Sequence, residues 1–320
     1  MDVVLFGLEM TIDPIAFTIN IGSFHWDVYW YGITIALGFA LAVFYGIKNA
    51  KRFNINVDRM LDVALVTTPV AILCARSYYL LFDDISGNFT FKDFFGFGGS
   101  GFSGLAIYGG VIGAFVCGAL MCRLRKIKIL DMFDLAAIGF LIGQGIGRWG
   151  NFFNQEAFGG LSYSTWWGMQ SANTEKVVGP GLVHPCFLYE SLWCILGFVI
   201  IHILSKKRKF SGQVVLMYGV WYGLGRAAIE GLRTDSLYLV GSIRVSQALS
   251  ALLCISCAAI LVYMLVKIHK NASLETTPIC VDDGEEQQAS EETVEEVTEE
   301  TKEETEEVSQ TQEEKVDKDE

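Results

Sequence analysis

The sequence lacks the parts from which several common enzymes are built. It holds no G-x-S-x-G elbow, no H-E-x-x-H helix and no cysteine–histidine ligand set. A serine hydrolase or a zinc protease of those designs is therefore excluded. No P-loop pattern G-x-x-x-x-G-K-[ST] is present, and nothing repeats at a period of about 20–50 residues. Histidine is scarce, with His25, His184, His202 and His269 the only four. The N-terminus lacks the basic stretch of a signal peptide, its first charges being Asp2, Glu9 and Asp13. No cleavage is expected there.

Water-soluble composition is lacking too. Of 320 residues, 52% are hydrophobic, and the mean hydropathy is +0.37. The net charge of −12 conceals two parts. Residues 271–320 hold 20 of the 36 acids and 3 of the 24 Lys+Arg. That leaves a tail of −17 behind a body of +5. The Glu/Thr-rich tail has almost nothing to bury, so 271–320 is expected to be a disordered cytoplasmic appendage, dispensable for activity. The eight cysteines mostly lie inside apolar runs, where cysteine acts as a small hydrophobe. Cys254 and Cys257 form a C-x-x-C, but in a lipid-spanning run without histidines. Packing accounts for it better than metal or redox chemistry.

Spanning helices need about 20 mostly apolar residues. Seven segments qualify: 28–47, 62–82, 104–122, 134–150, 187–204, 212–232 and 243–267. The fold class is thus an all-α polytopic membrane protein, with residues 1–270 forming the membrane domain. Lys48, Lys51, Arg52 and Arg59 follow the first segment. Arg123, Arg125, Lys126 and Lys128 follow the third, and Lys206, Lys207, Arg208 and Lys209 the fifth. Positive charge stays inside, so the N-terminus is expected outside and the C-terminus inside. Two outer connections are long. Residues 83–103 are expected to skim the interface, and 151–183 to form a small extracytoplasmic cap. Gly139, Gly143 and Gly147 recur every four residues, a spacing suited to close helix packing.

With that orientation the polar residues converge. Arg76, Arg148, Arg226 and Glu230 lie toward the outer ends of outward-running segments. Tyr31, Tyr108, Tyr189 and Glu190 lie near the outer starts of inward-running ones, and His184 precedes Pro185 at the same mouth. Arg226, Glu230 and Arg233, spaced i, i+4 and i+7, share one helical face. Charges at such depth are expensive and mark a functional site. Several arginines together suit bidentate capture of a phosphate, as on an anionic lipid headgroup. Any one of these arginines could merely snorkel to the headgroups, and Arg226 with Glu230 could be a structural pair. Their joint clustering is what points to function. Against a transporter, the charges gather at one face, and no inverted repeat is evident.

The segment Gly147–Gly160, GRWGNFFNQEAFGG, resembles the signature of the prolipoprotein diacylglyceryl transferases, a bacterial inner-membrane family. Trp30–Gly32, Cys74–Tyr79, Tyr108–Gly110, His184–Glu190 and Gly225–Arg233 resemble its other blocks in order. Together they cover roughly 14–268. The resemblance implies transfer of diacylglyceryl from phosphatidylglycerol to the lipobox cysteine of a prolipoprotein signal peptide, releasing glycerol 1-phosphate. It implies Arg148 and Arg226 as phosphate holders that stabilise the leaving group, with Glu230 orienting Arg226. Tyr31, Asn151, Glu156 and Gly159 match positions that matter for activity, Gly159 as a backbone requirement. Arg76, His184, Tyr189, Glu190 and Arg233 are candidate substrate contacts. No metal, organic cofactor or nucleic acid is expected.

One departure concerns the thiol base. Many members read H-G-G where this chain has Tyr108-Gly109-Gly110, although others also carry tyrosine. A cysteine thiol ionises near pH 8.5, so an arginine field could supply thiolate while Tyr108 positions lipid. His184 is the alternative base.

Overall fold

The computed structural model describes residues 2–21, 24–82, 104, 106–164, 166–234, 238–240 and 243–270. The expected interfacial segment 83–103 and the acidic tail 271–320 lie outside the described residues.

Seven long helices dominate: α1 (Trp30–Asn49), α2 (Val57–Phe82), α3 (Ile107–Leu124), α4 (Ile129–Asn154), α6 (Cys186–Ser205), α7 (Gln213–Glu230) and α8 (Val245–Lys270). A short α5 (Ala172–Val178) lies between α4 and α6. All but α7 among the seven are long and apolar enough to cross a membrane. The glycines of α7, together with Arg226 and Glu230, dilute its apolar character. It nonetheless packs along α6, α8 and α4. The outward faces carry large exposed apolar side chains such as Leu65, Val116, Ile255 and Val262. In water so wide an apolar surface would aggregate; in lipid it costs nothing, while each helix satisfies its own backbone. The chain is an all-α polytopic membrane protein.

Without a hydrophobic drive between helices in lipid, small residues decide where they approach. A Cβ on Gly38 of α1 would stand 3.1 Å from the carbonyl oxygen of Gly143 on α4. Gly139 packs on Ala42, whereas Gly147 has open space around it. Gly109 and Gly113 of α3 take up Cys74 and Ala75 of α2. Gly219 and Gly223 of α7 receive Cys257 and Cys254 of α8, so that C-x-x-C is a packing motif.

The first 29 residues hold strands that the hydropathy pattern did not signal. β1 (Asp2–Leu5) and β2 (Leu8–Thr11) form a hairpin whose turn puts Phe6 and Gly7 at φ 53° and 79°. β3 (Ile15–Ile21) and β4 (Phe24–Tyr29) form a second hairpin that runs straight into α1. β5 (Met169–Ser171), at the start of α5, adds to β1 in the order β2-β1-β5. Ser171 and Thr174 close a reciprocal capping box at the start of α5. Val3, Phe152, Phe158, Met169, Val183 and Phe187 form the small core under this cap. Two short strands, β6 (Tyr238–Val240) and β7 (Ile243–Arg244), precede α8.

At the other end of the bundle, charges are buried. Arg208, 2% exposed, bonds Asp131 at 3.0 Å and Asp134 at 2.8 Å. Asp134 also accepts from the backbone N–H of Gly212 and of Val215, both at 2.8 Å. One carboxylate of α4 therefore caps the first turn of α7 and neutralises a buried guanidinium. Removing one partner of such a pair costs about 3–5 kcal/mol, because the other charge is stranded. Asp134→Ala is expected to lower the melting temperature in detergent markedly. An unchanged melting temperature would show that this cap contributes nothing.

Candidate active site

The end of α4 explains why the signature segment is placed as it is. The helix stops where Gln155 turns left-handed at φ 56°, and Ala157 follows at φ 57°. Two non-glycine residues in that region cost free energy, and such strain gathers at functional sites. Gln155 is 2% exposed and its side chain donates to the Phe152 carbonyl at 2.8 Å, which holds the reversal. Glu156 emerges from the turn and accepts from Asn151 at 2.9 Å and from Asn154 at 3.5 Å.

About two turns before that reversal, Arg148 reaches the central feature. Glu190, in the second turn of α6, is 6% exposed and binds three guanidiniums. Arg148 of α4 meets its Oε2 at 2.6 Å, and Arg226 of α7 its Oε1 at 2.8 Å. Arg233 meets the same Oε1 at 3.3 Å. Arg226 continues to Glu230 at 2.8 Å, its i+4 neighbour, and Ser246 of α8 donates to the other oxygen of Glu230 at 2.5 Å. Gln247 donates to the Ala227 carbonyl at 3.0 Å, tying α8 to the same turn of α7. Arg233 does not share the helical face of Arg226 as its spacing suggested, because α7 ends at Glu230. It arrives by a turn and an antiparallel bridge with Gly159.

Among the described residues, three guanidiniums thus face two carboxylates. Their side chains are 22%, 19% and 11% exposed for Arg148, Arg226 and Arg233, so N–H groups remain reachable. Each guanidinium has five donors in a fork that matches phosphate.

Gly159 is enclosed by three elements. Its N–H donates to the His184 carbonyl at 2.9 Å, and Gly160 donates to Leu232 at 2.9 Å. A Cβ at Gly159 would lie 2.8 Å from the His184 Cβ and 2.9 Å from the Leu232 oxygen. Gly159→Ala must therefore push apart the strands that carry His184 and Arg233. Its expected result is a loss of transfer of about tenfold or more with Arg233 displaced. Wild-type turnover by a purified Gly159→Ala protein would contradict this.

Other expected residues fall into separate groups. Tyr31 packs on Gly150, in the turn of α4 that follows Arg148. Tyr189 receives the Trp167 indole N–H at 2.8 Å and lies 3.2 Å from His184 Nδ1. Arg76 is 2% exposed; it donates to the Gly104 carbonyl at 3.0 Å and lies over Tyr79. Tyr108 is exposed, with its ring near Tyr78. Neither Arg76 nor Tyr108 has a described contact with the Glu190 cluster. Ser246 and Gln247 went unnoticed in the sequence, since each belongs to the site only through a partner distant in the chain.

A bundle of apolar helices with Glu190 and its three arginines clustered near one end defines an integral membrane protein with a polar site. The family model of the prolipoprotein diacylglyceryl transferases matches residues 14–263. The chain belongs to that family. It is 41% identical over 251 residues to the phosphatidylglycerol–prolipoprotein diacylglyceryl transferase of Clostridium novyi, covering 75% of this chain and 91% of the relative. The enzyme of the same name from Clostridioides difficile is 39% identical over 265 residues, covering 82% and 100%. That of Streptococcus sanguinis is 40% identical over 255 residues, covering 79% and 95%.

Proposed function

We propose that this chain transfers the diacylglyceryl group of phosphatidylglycerol to the lipobox cysteine thiol of a prolipoprotein, the first step of lipoprotein maturation. Family membership supports the reaction. The observation that carries the site is Glu190 binding Arg148, Arg226 and Arg233 together.

The headgroup phosphate enters where Glu190 now holds the arginines, taking the free donors of Arg148 and Arg226. The cysteine sulfur attacks the glyceryl carbon that bears the phosphate ester. An S–C bond forms, the C–O bond breaks, and its electron pair leaves on the phosphate of glycerol 1-phosphate. Charge grows on that phosphate, and fixed guanidiniums stabilise it without reorganising. The same positive field favours the thiolate. Tyr108, exposed beside Tyr78, suits a role in positioning lipid.

Lys48, Lys51 and Arg59 lie at the end of the bundle opposite the arginine cluster, as do Arg123, Arg125, Lys126, Lys128 and Lys206. By the positive-inside rule that end faces the cytoplasm. The site and its cap then face the extracytoplasmic side of a bacterial plasma membrane, where translocated signal peptides emerge.

Phosphatidylglycerol vesicles holding the purified protein are expected to release glycerol 1-phosphate only when a lipobox peptide is added. A cysteine-to-serine peptide should release none. Release without any peptide would make the protein a lipid hydrolase instead.

A further inference from the structure

Immediately below the charged site, α6 and α7 are joined by an exchange of tryptophans. Trp193 of α6 donates its indole N–H to the Trp221 carbonyl at 3.0 Å, and Trp221 of α7 donates to the Trp193 carbonyl at 3.0 Å. The rings stack at 4.4 Å with 16° between planes. Each indole also packs its Nε1 edge against a glycine of the opposite helix, Trp193 against Gly225 and Trp221 against Gly197. A Cβ at either glycine would fall inside the indole. Trp193 comes three residues after Glu190, on the same face of α6, and Gly225 directly precedes Arg226.

We propose that Trp193 and Trp221 form a clasp that fixes the register of α6 against α7 and so act as positioning residues for the Glu190–Arg226 pair. The proposal rests on the reading of that pair as part of the phosphate site. In lipid, helix register is set by packing and hydrogen bonds, since no hydrophobic drive holds one helix against another. A slip of one residue moves Arg226 by about 1.5 Å along α7. The 2.8 Å contact with Glu190 does not survive such a shift. The glycines beside each indole forbid alternatives, because neither ring can slide onto a residue with a side chain. The symmetry of the exchange also means that losing one indole N–H weakens both halves.

The test uses the full-length protein in phosphatidylglycerol vesicles, with Trp193→Phe, Trp221→Phe and the double variant. Phenylalanine keeps an aromatic ring and removes the N–H that spans the helices. The double variant is expected to lose about 10- to 100-fold in kcat/KM for the lipid, as misplacement near 1 Å does. KM for the lipobox peptide and the melting temperature should stay close to wild type. The two single losses should not multiply, since the clasp acts as one unit. Full activity in a folded double variant would overturn the proposal. So would a loss that follows the melting temperature, or one confined to peptide KM. Should the double variant not fold, Trp193→Phe alone decides the matter by the same comparison. Arg226→Ala is measured alongside. If it too retains transfer, the phosphate site itself is misread; if it loses transfer while the tryptophan variants do not, the clasp alone is wrong.

Discussion

Replacing Arg148 by alanine is expected to lower diacylglyceryl transfer by about 100- to 1,000-fold, the usual effect of removing one oriented donor from developing negative charge. Among the described residues Arg148 is the only contributor from α4 to the Glu190 cluster, and its 2.6 Å contact is the shortest of the three ion pairs that Glu190 makes. Arg226 and Arg233 share the other carboxylate oxygen and do not reach the position Arg148 leaves. Lysine should recover little, because a single ammonium cannot reproduce a fork that meets carboxylate and phosphate in turn. Turnover by Arg148→Ala within a few-fold of wild type would remove Arg148 from the reaction.

Glu190→Gln is the second large effect. The substitution keeps the shape but removes the charge around which three guanidiniums gather. Those guanidiniums then repel one another in a half-buried setting, and breaking such a buried pairing costs about 3–5 kcal/mol. Transfer should fall by about 100-fold or more, since the arginines lose the geometry that defines the site. The affinity for glycerol 1-phosphate should move the other way or stay level, because a competing anion has been removed. If both transfer and product affinity are lost with the protein folded, Glu190 touches substrate directly instead of holding the arginines.

Much of this was legible in the sequence because it depended on local patterns. Apolar runs gave seven long helices, each within a few residues of its observed bounds. Arg226 and Glu230 bond as their i, i+4 spacing indicates. Where the reading stopped, the cause is long-range contact. Glu190 meets Arg226 from 36 residues away, and nothing in either helix alone announces which arginine a carboxylate will take. The tryptophan exchange spans 28 residues and leaves no periodic trace. Arg52 and Arg208 read as ordinary loop cations, yet they are 6% and 2% exposed. Arg52 bonds Ser205, and Arg208 bonds Asp131 and Asp134. The N-terminal strands escaped because stretches of four to seven residues carry too little period to stand out beside membrane helices.

The most direct measurement is the mass of a lipobox peptide after incubation with the purified protein in phosphatidylglycerol vesicles, beside Arg148→Ala. The expected result is a gain of one diacylglyceryl group on the cysteine, lost in the variant. An unmodified peptide with the wild-type protein folded would contradict the proposed transfer, and equal modification by both proteins would contradict the arginine site.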